Sequence, residues 1–217
     1  MKGKNMSYLT LNHVSKTIKG QPVLNDINLS VEKGEVVAFT GDNGSGKTML
    51  LRAILGFVKS SGEISLAGQP VRFNEQLPVN CGAIIETPNF IPHLTALENL
   101  KYLAAINNTI SEAEIIESMK IFALEQKKDS KVKSFSLGMR QKLAIIQAVM
   151  EKPDLLLLDE PTNGLDAKAI QRFISLIKEM QKQGTTTLLV SHDPLLLQNL
   201  PQKIYHLTDG QLDSRPN

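Results

Sequence analysis

Apolar and polar residues alternate along Val23-Leu24-Asn25-Asp26-Ile27-Asn28-Leu29-Ser30-Val31 and, less regularly, from Tyr8 to Val14. A period of two puts every second side chain on one face, so both stretches are expected to be half-buried strands. Lys33-Gly34 reads as a turn, and Glu35-Val36-Val37-Ala38-Phe39-Thr40 as a strand buried on both faces. The period then changes. Met49 to Leu55 reads as a helix stopped by Gly56. Gly82-Ala83-Ile84-Ile85 is a further short strand. Thr95-Ala96-Leu97-Glu98 and Ser111-Glu112-Ala113-Glu114 both carry a hydroxyl three residues before a glutamate. That is the spacing of a reciprocal helix cap, and a helix is expected after each. Another helix, from about Gly138 to Met150, aligns Leu143, Ile146 and Met150 on one stripe with Ala144 and Ala148 beside it. The chain then returns to a buried strand (Leu155 to Leu158), a helix capped by Asp166 and running to about Gln183 before Gly184, and a strand from Thr185 to Val190. Strand–helix–strand order implies a parallel sheet. The expected architecture is one domain over residues 1–217. An α/β core (1–86 and 151–217) is interrupted by a mostly helical insert (87–150).

Composition narrows what such a domain does. The chain has 217 residues, 41% hydrophobic and 21% charged, which suits an ordinary globular core. A net charge of +2 is too small for the basic face that nucleic-acid binders usually show. The densest basic run, Lys127 to Lys133, reads as solvated surface. The single cysteine, Cys81, permits no intrachain disulfide and reads as a small buried hydrophobe. Methionines 119, 139, 150 and 180 fall on helices and read as core filler. No apolar stretch approaches the roughly 18 residues that span a bilayer, the longest aliphatic run being Leu155 to Leu158. The segment Met1 to Met6 has charge but no apolar stretch behind it, so it is not expected to be a signal peptide. Work at a membrane would need a second chain.

Gly41-Asp42-Asn43-Gly44-Ser45-Gly46-Lys47-Thr48 matches G-x-x-x-x-G-K-[ST] between an expected strand and an expected helix. Glycines let backbone N–H groups turn inward around phosphate oxygens, and the helix starting near Gly46 adds its positive end. Lys47 is expected to reach the β and γ phosphates, and the Thr48 hydroxyl to ligate Mg²⁺. The strand Leu155 to Leu158 ends in Asp159-Glu160, acids at the carboxyl end of a parallel strand, where ligands sit. Asp159 suits a hold on Mg²⁺ and Glu160 the polarisation of an attacking water. His192 follows the strand ending at Ser191 and can donate to a γ-phosphate. His13, His93 and His206 have no such placement and read as surface or core residues.

These motifs, with Ser136-Leu137-Gly138-Met139-Arg140-Gln141, Asn163-Gly164-Leu165-Asp166 and Ser191-His192-Asp193 in order, make nearly the whole chain resemble the ABC-family ATPase domain. The resemblance implies a P-loop NTPase core with a mostly parallel sheet, an N-terminal antiparallel β subdomain and a helical signature subdomain. It implies ATP and Mg²⁺ as ligands and ATP hydrolysis coupled to transport. Two such domains, two copies or two related chains, would pack head to tail. Ser136 and Gly138 of one would then complete the ATP site of the other in trans. It further implies a multi-span membrane subunit as partner and a peripheral place on the cytoplasmic face of the cell membrane, with no role for nucleic acid. Phe90-Ile91-Pro92-His93-Leu94 would be an exposed apolar surface receiving that partner, the other reading being a loop tucked on the chain's own helical insert. The chain departs from the family pattern at three points. Ile18 stands where an aromatic residue stacks on adenine, so apolar packing replaces a π-stack. Glu86 stands where a glutamine senses the site, as a catalytic or Mg²⁺-ligating carboxylate. Leu137 and Met139 replace Gly and Gln in the signature. Glu86 and this signature resemble the bacitracin and lantibiotic exporter or immunity branch. Two other readings compete. One is an ABC ATPase acting on nucleic acid or ribosomes, against which stands the weak charge. The other is a regulatory nucleotide-binding module without turnover, against which stand Glu160 and His192.

Overall fold

The computed structural model describes residues 7–87 and 89–213; Met1 to Met6, read above as no signal peptide, lie outside them. Two sheets share the chain. The first is four-stranded and antiparallel, ordered β2-β1-β4-β5, from β1 (Leu9–Ile18), β2 (Gln21–Val31), β4 (Ser61–Leu66) and β5 (Gln69–Pro70). The second is six-stranded. It is built from β3 (Val36–Thr40), β6 (Cys81–Ile84), β7 (Leu155–Asp159), β8 (Thr186–Val190), β9 (Lys203–Thr208) and β10 (Gln211–Leu212), in the order β10-β9-β3-β8-β7-β6. Every pairing in it is parallel except the β9–β10 hairpin.

The parallel sheet is buried on both faces, and the alternation of its strands decides what each face touches. Val36, Ala38, Leu156, Leu158 and Leu189 face the helical side. There α4 (Leu137–Val149) and α5 (Ala167–Lys182) contribute Leu143, Ile146, Phe173 and Ile177. Val37, Phe39, Leu155, Leu157, Leu188 and Val190 face the other side, with α1 (Lys47–Ile54) and the inner face of the antiparallel sheet. The first of these cores continues without a break into residues 96–135, where Leu100, Ile115, Phe122 and Phe135 are buried. The helical insert therefore has no separate hydrophobic centre of its own. Met119, Met150 and Met180 are buried in it, and Met139 packs at its edge, as expected of flexible filler.

Both reciprocal caps form. Thr95 Oγ accepts from the Glu98 N–H and the Glu98 carboxylate from the Thr95 N–H at the start of α2 (Ala96–Asn107). Ser111 and Glu114 do the same for α3 (Glu112–Met119). β2 departs from strict alternation. Leu24 and Ile27 are both buried, three residues apart, because the register with β1 shifts between the pairs Val14–Ile27 and Lys16–Leu24, where Asp26 takes a positive φ (54°). His13 Nδ1 and Asp26 Oδ1 lie 2.7 Å apart on that exposed bulge, which gives His13 a structural use. His206 is exposed and pairs with Thr40 Oγ1 at 3.0 Å. The α6 helix (Pro194–Asn199), capped by Asp193, follows β8.

The stretch 90–94 is less open than expected: Phe90, Ile91 and Leu94 are partly buried, and Phe90 packs against the helical core. Ile91 is pinned by Asn99, whose Oδ1 accepts the Ile91 N–H and whose Nδ2 donates to the Ile91 carbonyl. Only Pro92 and His93 of the stretch are exposed.

Candidate functional site

A cavity of about 640 Å³ opens at the carboxyl ends of β3, β6 and β7. Its lining includes Gly44, Gly46, Lys47, Thr48, Glu86, Asp159 and Glu160, and also Val23, Arg52 and Asn163. In a parallel sheet this is where helix N-termini and strand ends converge.

The phosphate loop owes its shape to close backbone approach. Gly41 has φ 135°, and a Cβ there would lie 2.1 Å from the Leu207 carbonyl oxygen; Gly46 has φ 107°, and its Cβ would lie 2.5 Å from the Val23 carbonyl oxygen. No side chain is tolerated at either. The β9–β10 turn straps the loop from outside, with the Gly210 N–H donating to the Ser45 carbonyl at 3.0 Å. α1 starts at Gly46 without a side-chain cap, leaving its first backbone donors free for an anion. Lys47 is buried and folds back over the loop, donating from Nζ to the carbonyls of Gly41 (2.5 Å) and Asp42 (2.8 Å). Ser45 Oγ is buried without a hydrogen-bond partner. Uncapped N–H groups beside an ammonium are the arrangement a polyphosphate would satisfy.

Thr48 Oγ1 donates to Asp159 Oδ2 at 2.6 Å, so the structure joins two residues 111 positions apart that the sequence named together. No group of three or more His, Cys, Asp or Glu side chains able to hold a metal occurs among the described residues. One hydroxyl and one carboxylate, all oxygen, fit Mg²⁺, which takes few protein ligands and completes its shell from phosphates and water.

Glu160 sits just past β7 in the left-handed region (φ 46°), its N–H donating to the Val190 carbonyl at 2.9 Å. A glutamate held there is strained, and such strain gathers at functional sites. Burial is the main influence on its carboxyl and pushes its pKa above the usual glutamate range, with His192 opposing. His192 Nε2 lies 3.6 Å from Glu160 Oε1 and is half exposed. Glu86, also at positive φ (61°), does not turn to Asp159 or Thr48. Its Oε1 accepts from Arg52 Nη2 at 2.7 Å.

Ser136 caps α4, its Oγ accepting from the Met139 N–H at 3.3 Å. Three contacts lock this segment to the chain after β7. A Cβ on Gly138 would meet the Gly164 carbonyl oxygen at 2.6 Å, Gln141 Nε2 donates to the Pro161 carbonyl at 2.8 Å, and Lys142 pairs with Asp166 at 3.3 Å. Ser136 is exposed, and neither it nor Gly138 lines the cavity beside Lys47. Ile18, at the end of β1, is 39% exposed and also lies outside the lining, where Val23 supplies the apolar wall instead. Arg52 was not anticipated. The signal for it was its place four residues after Thr48, one turn along the same helix face.

Residues 24–163 match the family described as ABC transporter. The chain is 38% identical to an uncharacterized ABC transporter ATP-binding protein of Bacillus subtilis, over 93% of each. It is 35% identical to the bacitracin transport ATP-binding protein BcrA of Bacillus licheniformis, over 89% of this chain and 63% of that protein. Among solved structures it resembles the dimeric ATP-binding cassette in a post-hydrolysis state bound to ADP and Pi, at 27% identity and a TM-score of 0.87, covering 96% of this chain and 97% of that one.

Proposed function

The chain belongs to the ABC transporter family, and from that premise we propose that it is the ATP-hydrolysing subunit of a transporter, with its ATP site in the cavity around Lys47. The observation that carries the site is the uncapped N-terminus of α1 beside the buried Lys47 ammonium, in a cavity that Thr48 and Asp159 also line. Both are positive ends, and Lys47 meets only neutral carbonyls there. Residues 1–86 and 151–217 form the nucleotide-binding core, and residues 87–150 carry the signature.

The roles follow from position. Backbone N–H groups of Gly41, Asp42, Asn43, Gly44, Ser45 and Gly46 surround the phosphates. Lys47 exchanges its two carbonyl acceptors for β and γ oxygens. Thr48 and Asp159 would hold Mg²⁺, which supplies positive charge to the phosphate oxygens when bound. Glu160 orients and polarises the attacking water. Its partial burial strips water from the carboxylate and makes it the stronger base. His192, within reach of Glu160, donates to the γ-phosphate. Ile18 packs on the adenine from the rim. Ser136 and Gly138 point their capped helix end at the site of a second copy or a related chain. ATP is then held by two protomers and stabilises the closed pair by its differential affinity.

The chain has no helix long and apolar enough to cross a membrane among its described residues. The transporting part is a separate multi-span subunit, and this chain sits against it on the cytoplasmic face of the cell membrane. The likeness to the bacitracin transport protein, with Glu86 and the Ser-Leu-Gly-Met-Arg-Gln segment, supports export of a peptide antibiotic as the work performed. Lys47→Ala tests the site: equilibrium binding of ATP should fall by at least about a hundredfold, the loss of a buried charge-assisted contact. Unchanged affinity would remove ATP from this cavity.

A further inference from the structure

Arg52 occupies the last turn of α1, the helix whose first turn carries Lys47 and Thr48. Thr48 and Arg52 are four residues apart and so lie on one stripe. Glu86 reaches that stripe from just past the end of β6. The pair closes at 2.7 Å, between Arg52 Nη2 and Glu86 Oε1, with side chains 34% and 60% exposed. Both residues line the cavity, and Glu86 holds a backbone conformation that non-glycine residues seldom adopt (φ 61°).

A carboxylate on the wall of a triphosphate site is an electrostatic liability. It adds negative charge where several negative charges must be bound, in a cleft where screening is weaker than in water. A guanidinium on the same wall removes that liability while leaving the carboxylate ionised. We propose that Arg52 is the positioning residue for Glu86: it holds the Glu86 carboxylate against the rear of the phosphate-loop helix and cancels its repulsion of the nucleotide. This rests on the cavity being the ATP site. The pair ties the helix that bears Lys47 and Thr48 to the segment leading into the helical insert. Movement of that segment and the charge felt by the phosphates are therefore linked through a single contact.

The consequence is conditional. Arg52 matters to ATP only while residue 86 is a carboxylate. The test is a double-mutant cycle on the full chain, read as equilibrium affinity for ATP in excess chelator, so that no metal enters. Wild type, Arg52→Ala, Glu86→Gln and the double variant are compared, with Lys47→Ala alongside as the check on the cavity. Arg52→Ala should weaken ATP binding about fivefold, the size of a coupled, partly exposed charge pair. In the Glu86→Gln background the same change should cost less than about twofold, and Arg52→Lys should recover part of the loss because it keeps the charge. Equal losses in both backgrounds would mean that Arg52 acts on the nucleotide or the fold directly, and no loss in either would mean the pair is idle; each overturns the proposal. If Arg52→Ala does not fold, Arg52→Gln carries the same comparison. If Lys47→Ala leaves affinity untouched, the site reading has failed, and that outcome is separate from either result of the cycle.

Discussion

At the scale of single residues, the site depends on atoms that are absent as much as on those present. Gly41 and Gly46 are glycines because the carbonyls of Leu207 and Val23 occupy the space a Cβ would need. Gly41→Ala should lower stability by about 3 kcal/mol, from combined overpacking and backbone strain. Denaturant unfolding would register it as a lower midpoint with an unchanged slope. A wild-type midpoint would mean that the loop moves freely away from β9. That Gly44 to Thr48, Asp159 and Glu160 stand near one another is legible in the sequence because a P-loop is a local pattern and an acid at a strand end is a local position. Arg52 was not legible as a partner of Glu86. The two are 34 positions apart, and only the tertiary fold brings them together.

At the scale of elements, the periodic segments announced themselves and the short ones did not. Both reciprocal caps were visible as spacing and form with both hydrogen bonds. β5 and β10 have two residues each, and α6 has six. Nothing that brief carries a period. β9 (Lys-Ile-Tyr-His-Leu-Thr) was missed because Leu207 alone in it is fully buried, polar residues interrupting the rest. That omission matters, since the β9–β10 turn straps the phosphate loop. The apolar run at 90–94 misled for the opposite reason. Its composition suggests an exposed surface, yet Asn99 holds the Ile91 backbone and Phe90 packs partly buried against the core. The caps also set a pH dependence. Hydrogen bonds from the Thr95 and Ser111 N–H groups lower the carboxyl pKa values of Glu98 and Glu114, and the Ala169 N–H does the same for Asp166. Depressed carboxyl values give stability that is fully present above the unfolded-state range and lost as the pH falls through the folded-state values. The melting temperature should hold from pH 7 to about 5 and drop below about 4. Thr95→Ala should cost about 1 kcal/mol at neutral pH through the lost Oγ acceptor. Glu98→Gln, which removes the charge held on the Thr95 N–H, should make the acid drop smaller, and an unchanged drop would mean that this cap charge contributes nothing.

At the scale of the whole molecule, one continuous core joins the helical insert to the parallel sheet, and three contacts lock the signature helix to the segment after Glu160. Under the proposed head-to-tail pairing, these contacts through Pro161 and Gly164 are the route by which a rearrangement at Glu160 would reach the Ser136 end of α4. The central claim, that ATP is the adhesive of a two-protomer engine, is tested most directly by light scattering of the Glu160→Gln protein with and without MgATP. The account predicts a monomer without nucleotide and a dimer of twice the mass with it, persisting because hydrolysis is blocked. A monomer at saturating bound ATP, or a dimer indifferent to nucleotide, would contradict it.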